Sequence, residues 1–183
     1  DTTLRDGEQT QGVSYPPLEK LHIATLLLKD VKVDHLEVAS ARVSSGEFEA
    51  ISKITEWARQ NDLLGKIEVL GFVDGELSLN WIHNAGCKIV NLLCKGSLRH
   101  LEKQLRKTPA QHVSDIREII AKADELDMQV NIYLEDWSNG MIFSEDYVYF
   151  MMDSLKDEKI KRFMLPDTLG ILNPEQTFSF CKR

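Results

Sequence analysis

A chain of 183 residues is long enough to bury a sizeable core within a single domain. Hydrophobic residues make up 43% and charged residues 28%, and the net charge of -7 with a pI near 5.3 argues against nucleic acid and anionic membrane as default partners. No apolar run approaches membrane-spanning length, no signal-peptide pattern is read at the start, and Cys87, Cys94 and Cys181 lack metal-type or paired spacing, so a reducing cytoplasm is the simplest compartment.

In chain order, Asp1 opens on a strand pattern already under way, and Arg183 lies inside a helical pattern. We therefore expect a fragment, one partial domain over 1–183 cut at both ends. Leu18, Leu21, Ala24, Leu28 and Val31 share a helical face, followed by a strand over 35–39. Phe48, Ile51, Ile54 and Ala58 make a second helix, leading to a strand over 66–70. A short helix near 76–84 precedes a strand over 88–93. The basic residues Lys95, Arg99, Lys103, Arg106 and Lys107 could meet an anionic ligand but read more simply as a solvated helix face. Val113, Ile116, Ile120, Ala123 and Leu126 stripe a long helix, and 130–134 is the next strand. Tyr147, Phe150 and Met151 fall in a further helix, 162–165 in a strand, and Pro174-Glu175 suits a last helix's first turn.

This is about six β-α units without linkers or low-complexity tracts, and such alternation means a parallel sheet flanked by helices. An open doubly wound sheet usually shows a Gly-rich phosphate loop after its first strand, and none is present. Polar residues recur instead at the C-terminal ends of several strands: Arg5 and Asp6, Ser40 and Arg42, Glu135 and Asp136, Asp167 and Thr168. That is where a (β/α)8 TIM barrel carries its chemistry, so we expect the first six or so units of one.

Asp1-Thr2-Thr3-Leu4-Arg5-Asp6-Gly7-Glu8-Gln9 sets a guanidinium beside a carboxylate at a strand end. Alone, Arg-Asp-Gly reads as a surface ion pair in a turn. Its functional reading is a ligand for a hard divalent metal next to a donor for a developing oxyanion. The whole nonapeptide resembles the start of the Asp-Arg-Glu TIM-barrel metallolyase family, which includes isopropylmalate, homocitrate and citramalate synthases and hydroxymethylglutaryl-CoA lyases. Glu8-Gln9 is similar to the synthases, whereas the lyases typically have Leu-Gln. Val38 to Arg42, Leu70 to Gly75, Asn91 to Ser97, Asn131 to Gly140 and Leu165 to Gly170 resemble later segments of citramalate synthases in order and spacing.

The resemblance implies an acyltransferase that joins acetyl-CoA, as co-substrate, to a 2-oxo acid with a divalent cation (Mg, Mn or Zn). It implies Asp6 as a metal ligand, Arg5 as the group that stabilises the enolate or alkoxide, and Glu135 as the residue that orients and activates the reactants. Thr168 would bind the oxo-acid carboxylate, and Gln9 would line the same site. Either could be structural: Glu135 a helix cap, Thr168 a turn residue. The family's His-x-His metal pair has no counterpart among His22, His35, His83, His100 and His112. A homodimer is implied for the complete protein.

By the same resemblance, Leu70, Leu93 and Tyr133 wall the oxo-acid pocket. Two Leu and a Tyr suit the methyl of pyruvate and offer no polar group to a dicarboxylic oxo acid. Ordinary barrel packing is the plainer alternative. We expect (R)-citramalate synthesis on a route to isoleucine. Isopropylmalate synthesis on the leucine route, a lyase running the chemistry backwards, and an inactive fragment remain open.

Overall fold

Short, mostly apolar segments build five strands: β1 (Leu36–Ser40), β2 (Ile67–Phe72), β3 (Ile89–Lys95), β4 (Gln129–Glu135) and β5 (Ile160–Met164). The structure, a computed structural model, describes residues 1–182. All strand pairs are parallel and the order is β1-β2-β3-β4-β5. A sheet that adds strands sequentially, with no reversal, has the topology of a barrel wall; a doubly wound sheet reverses at a switch point. Between the strands run α1 (Pro17–Leu26, ahead of β1), α2 (Ser45–Gln60), α3 (Leu77–Asn84), α4 (Leu98–His100), α5 (Pro109–Glu125), α6 (Trp137–Phe143) and α7 (Glu145–Leu155), with α8 (Pro174–Cys181) after β5. Right-handed crossovers put the helices on one face of such a sheet.

Three expectations need correction. Residues 1–9 do not contain a regular strand. Asp1 alone keeps parallel-type pairing, its amine donating to His35 O at 2.8 Å and its carbonyl accepting from Glu37 N at 3.0 Å. Thr2 O then accepts from the N–H groups of Arg5, Asp6 and Gly7, which turns the chain into a 3-10 turn over Gly7–Gln9. Along α1 and the turn that follows it, Ala24 and Leu28 are buried as expected, but Leu18 is 68% and Val31 65% exposed, and Lys20 is buried instead. The reason is electrostatic, since three acceptors surround the Lys20 ammonium. Between β4 and β5 the chain forms two helices, α6 and α7, where the sequence suggested one.

The sheet has two chemically different faces. Val38, Ile67, Val69, Val90, Leu92, Ile132 and Leu134 pack on Ile51, Ile54, Ile116 and Ile120 of the helices, all buried. Each such side chain contributes about 1.5–3 kcal/mol by leaving water. The opposite face carries a polar layer: Glu37 pairs in register with Glu68, and Asn91 with Asn131 and then Arg162. Asn91 Nδ2 donates to Glu37 Oε1 at 2.7 Å and Glu68 Oε2 at 3.1 Å, and Asn131 Nδ2 donates to Asn91 Oδ1 at 2.8 Å. Arg162 pairs with Glu68 and reaches Asn131 Oδ1 at 3.3 Å. Buried carboxylates are tolerated here because each is met by donors.

The C-terminal ends of β3 and β4 approach unusually closely. A Cβ on Gly96 would lie 2.6 Å from Leu134 O and 2.8 Å from Glu135 O, so only glycine fits there. Gly96 N instead donates to Glu135 O at 2.7 Å. The buried His112 of α5 braces the same point, its Nε2 accepting from Lys95 N at 3.1 Å, which assigns the imidazole proton to Nδ1.

Burial, opposed by Asp115 and reinforced by Lys107 and Lys95, holds the His112 imidazole down to about 4. The folded protein therefore refuses a proton that the unfolded chain accepts below about 6.5. Stability is complete above that value and falls as pH drops from there toward 4. Urea midpoints at pH 7.5 and pH 5 should show a loss that shrinks by about 2 kcal/mol in His112→Asn. An identical pH dependence in wild type and variant would contradict it.

Candidate active site

The loop that carries Arg5 and Asp6 is fastened from below. Lys20 Nζ, fully buried, pairs with Glu8 Oε2 and Glu47 Oε1, each at 2.6 Å, and donates to Leu4 O at 3.1 Å. One ammonium thus spends its three protons on the loop and on α2. Burial raises the Glu47 carboxyl above its usual range, with Lys20 opposing the rise and Glu8 adding to it.

Arg5 is aimed by the polar layer. Its Nε donates to Glu37 Oε2 at 2.6 Å, its Nη1 to Asp6 Oδ1 at 2.9 Å, and its guanidinium lies 6.0 Å from the Tyr133 ring centroid. Burial works against the charge, but Glu37, Asp6 and Tyr133 outweigh it and raise the pKa. Burial also raises the Tyr133 phenol, against the pull of Arg5.

Glu135 ends β4 in register with Lys95, and their side chains form an ion pair. The next residue, Asp136, takes a left-handed backbone (φ 65°) that a non-glycine residue adopts at a cost of about 1–2 kcal/mol. It is held there by Ser97 Oγ, which donates to Oδ2 at 2.6 Å, and by Asn139 Nδ2, which donates to Oδ1 at 2.7 Å. This turns Asp136 N toward Thr168 Oγ1, to which it donates at 3.0 Å. With a lone pair so engaged, the Thr168 hydroxyl is free to donate elsewhere.

These elements meet around one cavity of about 220 Å³. Arg5, Asp6, Gln9, Leu70, Leu93, Tyr133, Glu135 and Thr168 all line it, together with Ser40 and Phe72. Every residue to which the resemblance gave a role in the site therefore lines the same small space. Arg42 is not: its Nη1 pairs with Asp74 at 2.7 Å. Asp167 caps its own loop, accepting from Ile171 N and Leu172 N, and the Leu172 amide and Ser138 hold its carboxyl low. A larger cleft of about 790 Å³ adjoins at Thr168 and is lined by Arg99, His100 and Lys103.

The model of the family described as HMGL-like matches residues 1–183.

The chain belongs to the HMGL-like family.

A Methanoculleus marisnigri protein provisionally named (R)-citramalate synthase is 35% identical over 176 residues, 96% of this chain and 33% of the relative. The 2-isopropylmalate synthase of Acidimicrobium ferrooxidans is 32% identical over 170 residues, 93% of this chain and 32% of that protein. The chain thus spans about a third of the length of the curated relatives it matches. Among solved structures, the hydroxymethylglutaryl-CoA lyase of Pseudomonas aeruginosa superposes with a TM-score of 0.78 at 16% identity, covering all of this chain and 61% of that one. At that identity the likeness shows the fold.

Asp6, 60% exposed, offers the hard oxygen that a divalent cation takes, with Oδ1 already shared by Arg5. No group of three or more His, Cys, Asp or Glu could hold a metal among the described residues. No helix among them is long and apolar enough to cross a membrane.

Sequence reading missed Glu37, Lys20, Lys95, Ser97 and the hub at Asp136. A signal existed for the polar layer: Glu37, Glu68, Asn91 and Asn131 each sit between apolar neighbours in mid-strand, an odd place for a polar side chain unless several meet. Lys95, read as part of a helix face, ends a strand instead.

Lys20→Met should release the loop and leave Glu8 and Glu47 facing each other, costing about 3–5 kcal/mol at neutral pH. The deficit should narrow as the pH is lowered from neutral to mildly acidic, because burial raises the Glu47 carboxyl and its protonation removes the repulsion. Chemical unfolding at the two pH values checks this, and a deficit independent of pH would count against it.

Proposed function

We propose that this chain carries part of the catalytic barrel of an acyltransferase that condenses acetyl-CoA with pyruvate to give (R)-citramalate. The observation that carries the proposal is the 220 Å³ cavity, where Arg5, Asp6, Glu135 and Thr168 face Leu70, Phe72, Leu93 and Tyr133. Its size and half-apolar lining suit a small 2-oxo acid with a short side chain. The adjoining cleft with Arg99 and Lys103 on its wall supports room for a large anionic co-substrate.

In this reading the Thr168 hydroxyl donates to the oxo-acid carboxylate, and Arg5 presents its remaining guanidinium protons to the keto oxygen. A base removes a proton from the acetyl methyl, with Glu135 orienting and helping to activate the partners. The methyl carbon bonds to the keto carbon, the keto oxygen becomes an alkoxide beside Arg5, and protonation gives the tertiary alcohol. Water then cleaves the thioester and CoA leaves as the thiol. A bound divalent cation would polarise the keto group, with Asp6 as one of its ligands.

The second reading, 2-isopropylmalate synthesis from 2-oxoisovalerate, is favoured by the relatives that bear that name. The two separate on substrate size. Oxo-acid-dependent release of CoA should be fastest with pyruvate in the complete gene product, and Arg5→Ala should slow it by about 10²-fold or more. Tyr133→Ala should lose activity on pyruvate and gain relative activity on 2-oxobutyrate and 2-oxoisovalerate, within the roughly 10–200-fold that one methylene commands. A wild-type preference for 2-oxoisovalerate would transfer the assignment to isopropylmalate synthesis.

A further inference from the structure

Lys95 is absent from the walls of the 220 Å³ cavity, yet its ammonium is paired with a residue that lines it. We propose that Lys95 is a positioning residue for Glu135, fixing the direction in which that carboxylate faces the reactants; the role rests on the acyltransferase reading. The backbone around Lys95 is immobilised from both sides. Its N–H donates to His112 Nε2 at 3.1 Å, and its carbonyl accepts from Tyr147 Oη at 2.7 Å. The following residue, Gly96, donates to the Glu135 carbonyl at 2.7 Å at a spacing that a Cβ would forbid. The two Cα atoms are register partners, so the lysine stem spans a fixed gap and ends on Glu135 Oε2.

Structural need does not explain the pair. β3 and β4 are joined by an unbroken register from Ile89↔Gln129 to Lys95↔Glu135. The Lys95 side chain is 12% exposed, so it is not one of the solvated surface pairs that contribute little. What the ammonium adds is direction. Arg5 is the cation on the cavity wall, and its Nε and Nη1 are already given to Glu37 and Asp6. Freed from Lys95, the Glu135 carboxylate would turn toward Arg5. It would then occupy the guanidinium protons that the keto oxygen needs.

The test is a kinetic double-mutant cycle on CoA release from acetyl-CoA and pyruvate, in the complete gene product, with thermal unfolding followed alongside. Lys95→Met should lower kcat by about 10²-fold, as misaligned catalytic groups commonly do, while KM for pyruvate stays within about threefold. Lys95→Arg, which restores the charge, should recover most of that loss. In the Glu135→Gln background, Lys95→Met should cost nothing further, because its effect passes through the missing carboxylate. Should Lys95→Met fail to fold, Lys95→Gln takes its place in the cycle. Full kcat in Lys95→Met, multiplicative losses in the double variant, or an Arg variant no better than Met would each overturn the role. A wild type that releases no CoA with any 2-oxo acid sinks the acyltransferase reading and this role with it; an active wild type with an indifferent Lys95 sinks this role alone.

Discussion

The contact on which the rest of the site depends is the 2.6 Å bond from Arg5 Nε to Glu37 Oε2. Arg5 comes from a turn with little regular structure of its own, and a guanidinium there would by default extend into water. Glu37, 2% exposed in the middle of β1, draws it under the sheet instead. That carboxylate is in turn tolerable only because Asn91 donates to its other oxygen, and Asn91 is fixed by Asn131. Half of the sheet's inner layer therefore exists to make one buried acid possible. That acid decides where Arg5 points.

A second set of constraints works across the strand ends. The close approach at Gly96 locks β3 to β4, and Asp136 N carries the lock on to Thr168 in the loop after β5. Three consecutive strand ends are thus tied to one another around the cavity. This arrangement is not cheap in free energy: Asp136 has a left-handed backbone, and three carboxylates, Glu37, Glu68 and Asp136, are buried. The apolar face against the helices offsets this, and it is there that the protein's stability resides.

Much of this was readable from residue order. Hydrophobic patterns located β2, β3 and β4 to within about two residues and picked out the buried faces of α2 and α5, because in those elements burial and secondary structure pull the same way. The reading failed where charge outranked hydrophobicity. In α1, Lys20 is buried where Leu18 was expected to be, since a buried ammonium with three acceptors is a long-range feature. The chain looked like a strand from Asp1 up to Arg5, but Thr2 O gathers three amides and closes the turn at once. The resemblance singled out the residues that face the cavity. It was silent on Glu37, Lys95 and Asp136, whose work is to hold others, because holding is a relation between strands that no local pattern encodes.

The central claim is that Glu37 makes the cavity competent by fixing Arg5 within it. Its most direct test is the affinity of pyruvate for wild type and for Glu37→Gln, which keeps the side chain's shape and removes its charge, followed by ligand-observed NMR. About tenfold weaker binding in a variant that remains folded, roughly 1.4 kcal/mol, is the expected result. Unchanged affinity in a folded Glu37→Gln would contradict the account.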